Sequence, residues 1–163
     1  MSDLSLSTGF PQDTDTERLL LARLARSGGL RFRSTSLTTA LASAARTQTT
    51  VSADISAAGA RGVLAVIQTT TTDATLNLNL GVAFLISGQP YAICASGNFA
   101  VAGTLYRVLL LHPELTTAGA AIAGYTWTGN TCEGAVPDTF RLVVAHSSAN
   151  STTYTMGYIL LDR

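Results

Sequence analysis

The chain predicts an all-β fold, an antiparallel β-sandwich resembling a jelly roll, preceded by an N-terminal arm that carries one short helix. Three observations predict it. "TLNLNLGVAFL" alternates strictly, with Leu76, Leu78, Leu80, Val82 and Phe84 on one side and Thr75, Asn77, Asn79 and Gly81 on the other. A helix could not place those leucines on one face, whereas a half-buried strand must. Turn signals recur about every ten residues after position 60, which suits six to eight short antiparallel strands. Only one segment, near the start, has a helical period.

That segment is "DTDTERLLLARLARSGG". A Thr or Asp at 14 to 16 can cap its first turn, and Glu17 faces the positive end of the helix dipole. Leu20, Leu21 and Leu24 share a stripe, Arg23 and Arg26 sit late, and Gly28-Gly29 ends it. A helix of about three turns is unstable alone in water and must lie on something. The residues before Asp13 read as a flexible arm. "LRFRSTSLTTALASAARTQTTVSADIS" has little to bury and reads as a linker leading into a first strand near Thr47 to Ile55. The expected division is an arm over residues 1–40 and a β-sandwich domain over residues 41–163.

The remaining elements follow in order. "GVLAVIQTT" is apolar almost throughout, as in a strand covered on both faces. "SGQP" makes a turn between the leucine strand and "YAICAS", and "TLYRVLLL" ends at His112-Pro113. Glu114 to Pro137 is long for a loop, and such loops commonly carry contacts. Arg141 to Leu161, "RLVVAHSSANSTTYTMGYILL", has two period-two runs around five small polar residues and reads as a β-hairpin.

Composition narrows the function classes. Of the 163 residues 47% are hydrophobic and only 12% charged, and the formal net charge is zero. Low charge on a soluble domain favours association, and zero net charge offers nothing general to nucleic acid or an anionic membrane. All ten basic residues are Arg, whose planar fork suits fixed contacts; compositional drift in a GC-rich genome is the competing reading. No basic flank precedes an apolar core at the N-terminus, and no run reaches the roughly 18 apolar residues of a membrane span. The expectation is a soluble protein made in a cytoplasm.

Chemistry-bearing patterns are scarce. His146 shares the face of Phe140, Leu142 and Val144 and reads as a structural histidine; His112 reads as a turn residue. Neither has a carboxylate nearby in sequence, and no nucleophile motif, phosphate loop or metal-ligand spacing is present. The expectation is no catalytic residue, no metal and no cofactor. Cys94 and Cys132 read as two reduced, buried thiols, with a disulfide left open. Arg18, Arg23, Arg26, Arg31 and Arg33 are the candidate partner-binding cluster. Docking on an acidic protein surface competes there with a merely solvated face, and nucleic acid is disfavoured by Asp13, Asp15 and Glu17. Tyr125 and Trp127 are candidate surface contacts, as an interface anchor or a sugar platform, or else fold back over the domain.

"PDTFRLVVAHSSANSTTYTMGYILL" resembles the C-terminal hairpin of a family of small virion structural proteins of tailed phages and prophages. Pro137, Thr139, Arg141, Val143, His146, Thr153, Tyr154 and Gly157 stand in the matching places. "LASAARTQTTVSADISAAGARGV", "LISGQPY" and "HPELTTAGAAIA" resemble that family's earlier segments in the same order, so the likeness runs from Leu41 to the end. It departs where Asp138-Thr139-Phe140 replaces Arg-Thr-Trp and where "GYTWTGNTCEG" looks inserted. The resemblance implies a non-enzymatic capsid decoration or cement protein on the virion surface, assembled in the host cytoplasm. The implied partners are the major capsid protein and copies of itself, as a homo-trimer or dimer. A tail or head–tail joining protein and a glycan-binding virion module are the alternatives.

Overall fold

The structure, a computed structural model, describes residues 31–34, 36–70, 77–96, 98–101, 105–113, 130–132 and 134–162. These residues form strands only. In chain order they are β1 (Arg31–Phe32), β2 (Thr38–Arg46), β3 (Thr50–Val51), β4 (Ile55–Ser56), β5 (Gly62–Thr69) and β6 (Asn77–Ile86). There follow β7 (Gln89–Ala95), β8 (Phe99–Ala100), β9 (Leu105–Leu111), β10 (Asn130–Cys132), β11 (Thr139–His146) and β12 (Thr152–Asp162). The expected helix and Arg18, Arg23 and Arg26 lie outside the described residues.

Two six-stranded sheets result. The first runs β1-β12-β5-β9-β10, with β2 also paired to β12; the second runs β3-β11-β6-β7, with β4 on β11 and β8 on β6. Every pairing is antiparallel except β9 with β10, which is parallel. The strands outnumber the expected six to eight because several are two-residue fragments along the sheet margins.

One core lies between the sheets. Val63, Ala65, Ile67, Leu109, Leu111 and Met156 enter it from the first sheet; Leu78, Leu80, Val82, Phe140, Leu142 and Val144 enter from the second. The alternation of β6 fulfils its expectation at Leu78, Leu80 and Val82, all fully buried, but not at Phe84, which is half-buried because the pairing with β7 shifts register after Val82 and Ala83 is buried instead. Leu76 lies outside the described residues. β5, central in its sheet, is buried along its whole length on both faces. At the β6–β7 turn Ser87 and Gly88 take φ values of 50° and 80°. Positive φ at both central residues makes the two-residue turn whose twist matches antiparallel strands.

Two expectations need correction. The C-terminal strands do not form a hairpin: β11 pairs with β6, β3 and β4, whereas β12 pairs with β5, β2 and β1. Residues 147–151 therefore carry the chain from one sheet to the other. Period-two alternation identifies a strand and the side it buries, but an inter-sheet link and a hairpin have the same pattern. Thr38–Arg46, read as linker, is instead a nine-residue strand at the edge of the first sheet. Its low hydrophobicity is that of an edge strand with mostly exposed side chains, so composition alone mistook it. The strand also straddles the division expected at residue 40.

Of the two cysteine readings, the disulfide that the sequence left open is the one found, and not the reduced thiols. Cys94, on β7, is disulfide-bonded, and the chain's one other cysteine, Cys132, stands on β10. β7 borders the second sheet and β10 the first, and these two edges approach one another. Tertiary closure, invisible to sequence spacing, brings the two positions together.

Candidate functional site: a polar joint between the sheets

A concentration of polar side chains reaching between the sheets is built on His146, Tyr154 and Arg46. His146 ends β11, and Tyr154 lies three residues into β12. The short link between these strands faces the two side chains toward each other. His146 Nε2 and the Tyr154 hydroxyl are 3.2 Å apart, with ring centroids 5.7 Å apart. The Tyr154 side chain is fully buried, which requires a partner for its hydroxyl. His146 supplies that partner.

Arg46 covers the other side of the phenol, its guanidinium carbon 4.5 Å from the ring centroid. Its position follows from irregular pairing. Tyr154 faces Ala44, Met156 faces Leu41 and Gly157 faces Thr39, so β2 twice uses one residue more than β12. Such bulges leave ladder carbonyls without their usual amides. Arg46 donates from Nη1 to the carbonyls of Ala44 (3.0 Å) and Tyr154 (2.7 Å), and from Nη2 to that of Ala42 (2.7 Å). The Thr155 hydroxyl donates to the Leu41 carbonyl at 2.9 Å. At the second irregularity, a Cβ on Gly157 would collide with Leu37 and lie 3.0 Å from the Thr38 carbonyl. Glycine is required there so that Leu37 can lie against β12.

Electrostatics favour the uncharged forms of the imidazole and the phenol. Burial, and secondarily the charge on Arg46, hold the His146 pKa below the usual histidine value. Burial raises the Tyr154 pKa above 10, only partly opposed by a hydrogen bond from Thr50 and by Arg46. The second imidazole nitrogen, Nδ1, is buried with no hydrogen-bond partner. A neutral imidazole bonded to a buried phenol, with a cation stacked on that phenol, can hold two sheets in register. Its hydrogen-bonding atoms face the protein.

Further ties lie at the margins. Arg33 makes an ion pair with Asp162 at 2.6 Å and donates to the carbonyls of Ala57 and Ala58, both at 3.0 Å. Its guanidinium thus fastens the chain's entry to the end of β12. Arg141 pairs with Asp54 at 2.6 Å on the exposed side of β11, and this hydrogen bond lowers the Asp54 pKa. Ser52 bridges the gap between β3 and β4, where its hydroxyl accepts the amide of Leu142 at 3.0 Å.

Of the sequence candidates, Arg33 has this internal engagement. Arg31 is placed by backbone only, opposite Asp162. Arg18, Arg23, Arg26, Tyr125 and Trp127 lie outside the described residues. His112, read as a turn residue, is 2% exposed and lies against Gly62. Sequence reasoning passed over Arg46 altogether, because its importance comes from bulges that no residue pattern announces. Among the described residues, no group of three or more His, Cys, Asp or Glu side chains is arranged to hold a metal ion. No helix there is long and apolar enough to cross a membrane. No protein-family model matches the chain, and no curated protein matches it.

Proposed function

We propose that this protein is a non-enzymatic structural component of a tailed-phage virion, a decoration protein that binds and stabilises the major capsid lattice. In this reading its two sheets form a β-sandwich of jelly-roll type that works as a stiff spacer and adhesive. The supporting observation is the use of the residues that resemble the virion family. His146 and Tyr154 join the sheets, and Gly157 admits Leu37. Each has a mechanical duty, as expected where the activity is adhesion rather than catalysis.

The physical chemistry agrees with that role. A domain whose surface carries few charges suits broad protein contacts that stay covered in a finished particle. Binding the assembled lattice and not its separated parts stabilises the shell by mass action. Contacts between copies, as a trimer or dimer at a symmetry axis, belong to the same proposal.

The test is counting. Quantitative mass spectrometry of purified particles should find this chain in numbers comparable to the major capsid protein. A handful of copies per particle would reassign it to the tail or the head–tail junction. Its absence from particles would end the virion reading.

A further inference from the structure

At one margin the two sheets are joined by the chain itself, where residues 147–151 carry β11 over to β12. The margin between β7 and β10 is closed by a disulfide: Cys94 is oxidised, and Cys132 is the chain's one other cysteine. A bulge aims Cys94 for this bond. Phe84 faces Tyr91 and Ala83 faces Ala92, so regular pairing would set Ile93 opposite Val82. The register shifts there, and Cys94 stands opposite Val82 instead. Val82 and Cys94 both belong to the core, so Cys94 faces the first sheet. Re-aiming a side chain is what one extra residue in a strand accomplishes.

β10 by itself is weakly held. It has three residues, makes the one parallel pair among the described strands, and is the last strand of its sheet. Parallel ladders are less stable per residue than antiparallel ones. Residues 112–129 separate the end of β9 from the start of β10. The few hydrogen bonds of β10 return less than the entropy lost in ordering three residues and closing that connection. The disulfide supplies the difference, since it fixes Cys132 to a strand that the second sheet already holds.

We propose that this margin is a redox clasp: β10 lies against β9 while the Cys94–Cys132 disulfide is intact and leaves it on reduction, with the rest of both sheets staying folded. Closure is thiol–disulfide exchange with a low-molecular-weight disulfide such as oxidised glutathione. One protein thiolate attacks it, forms a mixed disulfide and expels a glutathione thiolate. The second protein thiolate then displaces the other glutathione, so the protein's two thiols are oxidised and two glutathione thiols are released. A chain made in a reducing compartment is open at this margin, with the outer edge of β9 uncovered at residues 109–111, and closes on leaving it. The inference does not depend on the virion reading.

Hydrogen exchange on the full-length protein, oxidised and after treatment with tris(2-carboxyethyl)phosphine, tests it. Reduction should speed exchange by about tenfold or more in peptides covering residues 130–132 and in the amides of residues 109–111 that face β10, and leave β5, β6, β11 and β12 unchanged. Replacing the reductant with oxidised glutathione should restore the slow exchange and consume both thiols. C94S/C132S should exchange like the reduced protein without any reductant. Unchanged protection of residues 130–132 on reduction would overturn the proposal, since β10 would then stand on its own pairing. Loss of protection throughout both sheets would also overturn it, because the disulfide would then be a staple of the whole fold. Failure of oxidised glutathione to restore the bond would refute the closing step.

Discussion

His146 and Tyr154 hydrogen-bond across the gap between two sheets, imidazole Nε2 to phenol oxygen at 3.2 Å, although only seven residues separate them in the chain. The link between β11 and β12 thus places a polar joint at the margin of an apolar core. Its energetic character is asymmetric. The formed bond adds little net stability, but breaking it strands a buried polar atom.

Tyr154→Phe should therefore cost about 1 kcal/mol for the lost hydrogen bond, rising toward about 3 kcal/mol if the imidazole finds no water. Urea denaturation with an unchanged m-value would measure it. A midpoint equal to that of the parent would show that the bond contributes nothing.

The same histidine should make stability depend on pH. Its folded pKa lies below its unfolded value, so between the two the unfolded chain binds the additional proton. Stability is then complete above about 6.5, the ordinary histidine value, and declines as pH falls from there toward the folded pKa. Melting temperatures from pH 8 to 5 should show this decline in the parent and less of it in His146→Gln. An identical acid limb in the variant would assign the decline to other groups.

Gly157→Ala should destabilise by about 1–3 kcal/mol, because the new methyl collides with Leu37 and crowds the Thr38 carbonyl. Paired with Leu37→Ala, it should cost less than the sum of the two single changes in a double-mutant cycle, because each change removes part of the other's penalty. Strict additivity would mean that the two residues do not press on each other.

Reduction should loosen the margin where β7 approaches β10. Closing a loop of about 40 residues is worth roughly 3–4 kcal/mol by chain entropy. Denaturation with and without reductant, alongside Cys94→Ser, would measure it. Thiol titration of the untreated protein should find no free thiol, and two free thiols would contradict the bond.

A core truncation calibrates these effects. Leu80→Ala, at a fully buried position on β6, should cost about 2–5 kcal/mol. Arg141→Ala should leave the midpoint nearly unchanged, since its ion pair with Asp54 is solvent-exposed.

The strands of the central sheets were legible in the sequence where side-chain alternation met strong hydrophobicity. Leu78, Leu80 and Val82 announced their face, and the continuous apolar run of β5 announced burial on both sides. The Ser87-Gly88 turn was legible from Gly88, which takes positive φ at no steric cost, although Ser87 beside it is not favoured there. β2 was not, because its Thr, Ala and Ser residues resemble linker composition. What identifies it is the run of amides and carbonyls on β12 that it satisfies.

His146 was legible as a structural residue, though its partner was not. Arg46 was not legible at all, since its three carbonyl contacts depend on a register irregularity between distant strands. By itself the sequence determined which segments would be extended and which of their faces would seek an interior, because both are properties of neighbouring residues along one strand. Only the tertiary structure decided that β11 and β12 part to different sheets and that Cys94 is oxidised. Those outcomes depend on which distant backbone supplies each hydrogen bond and which surface closes over each apolar side, and a one-dimensional pattern carries neither.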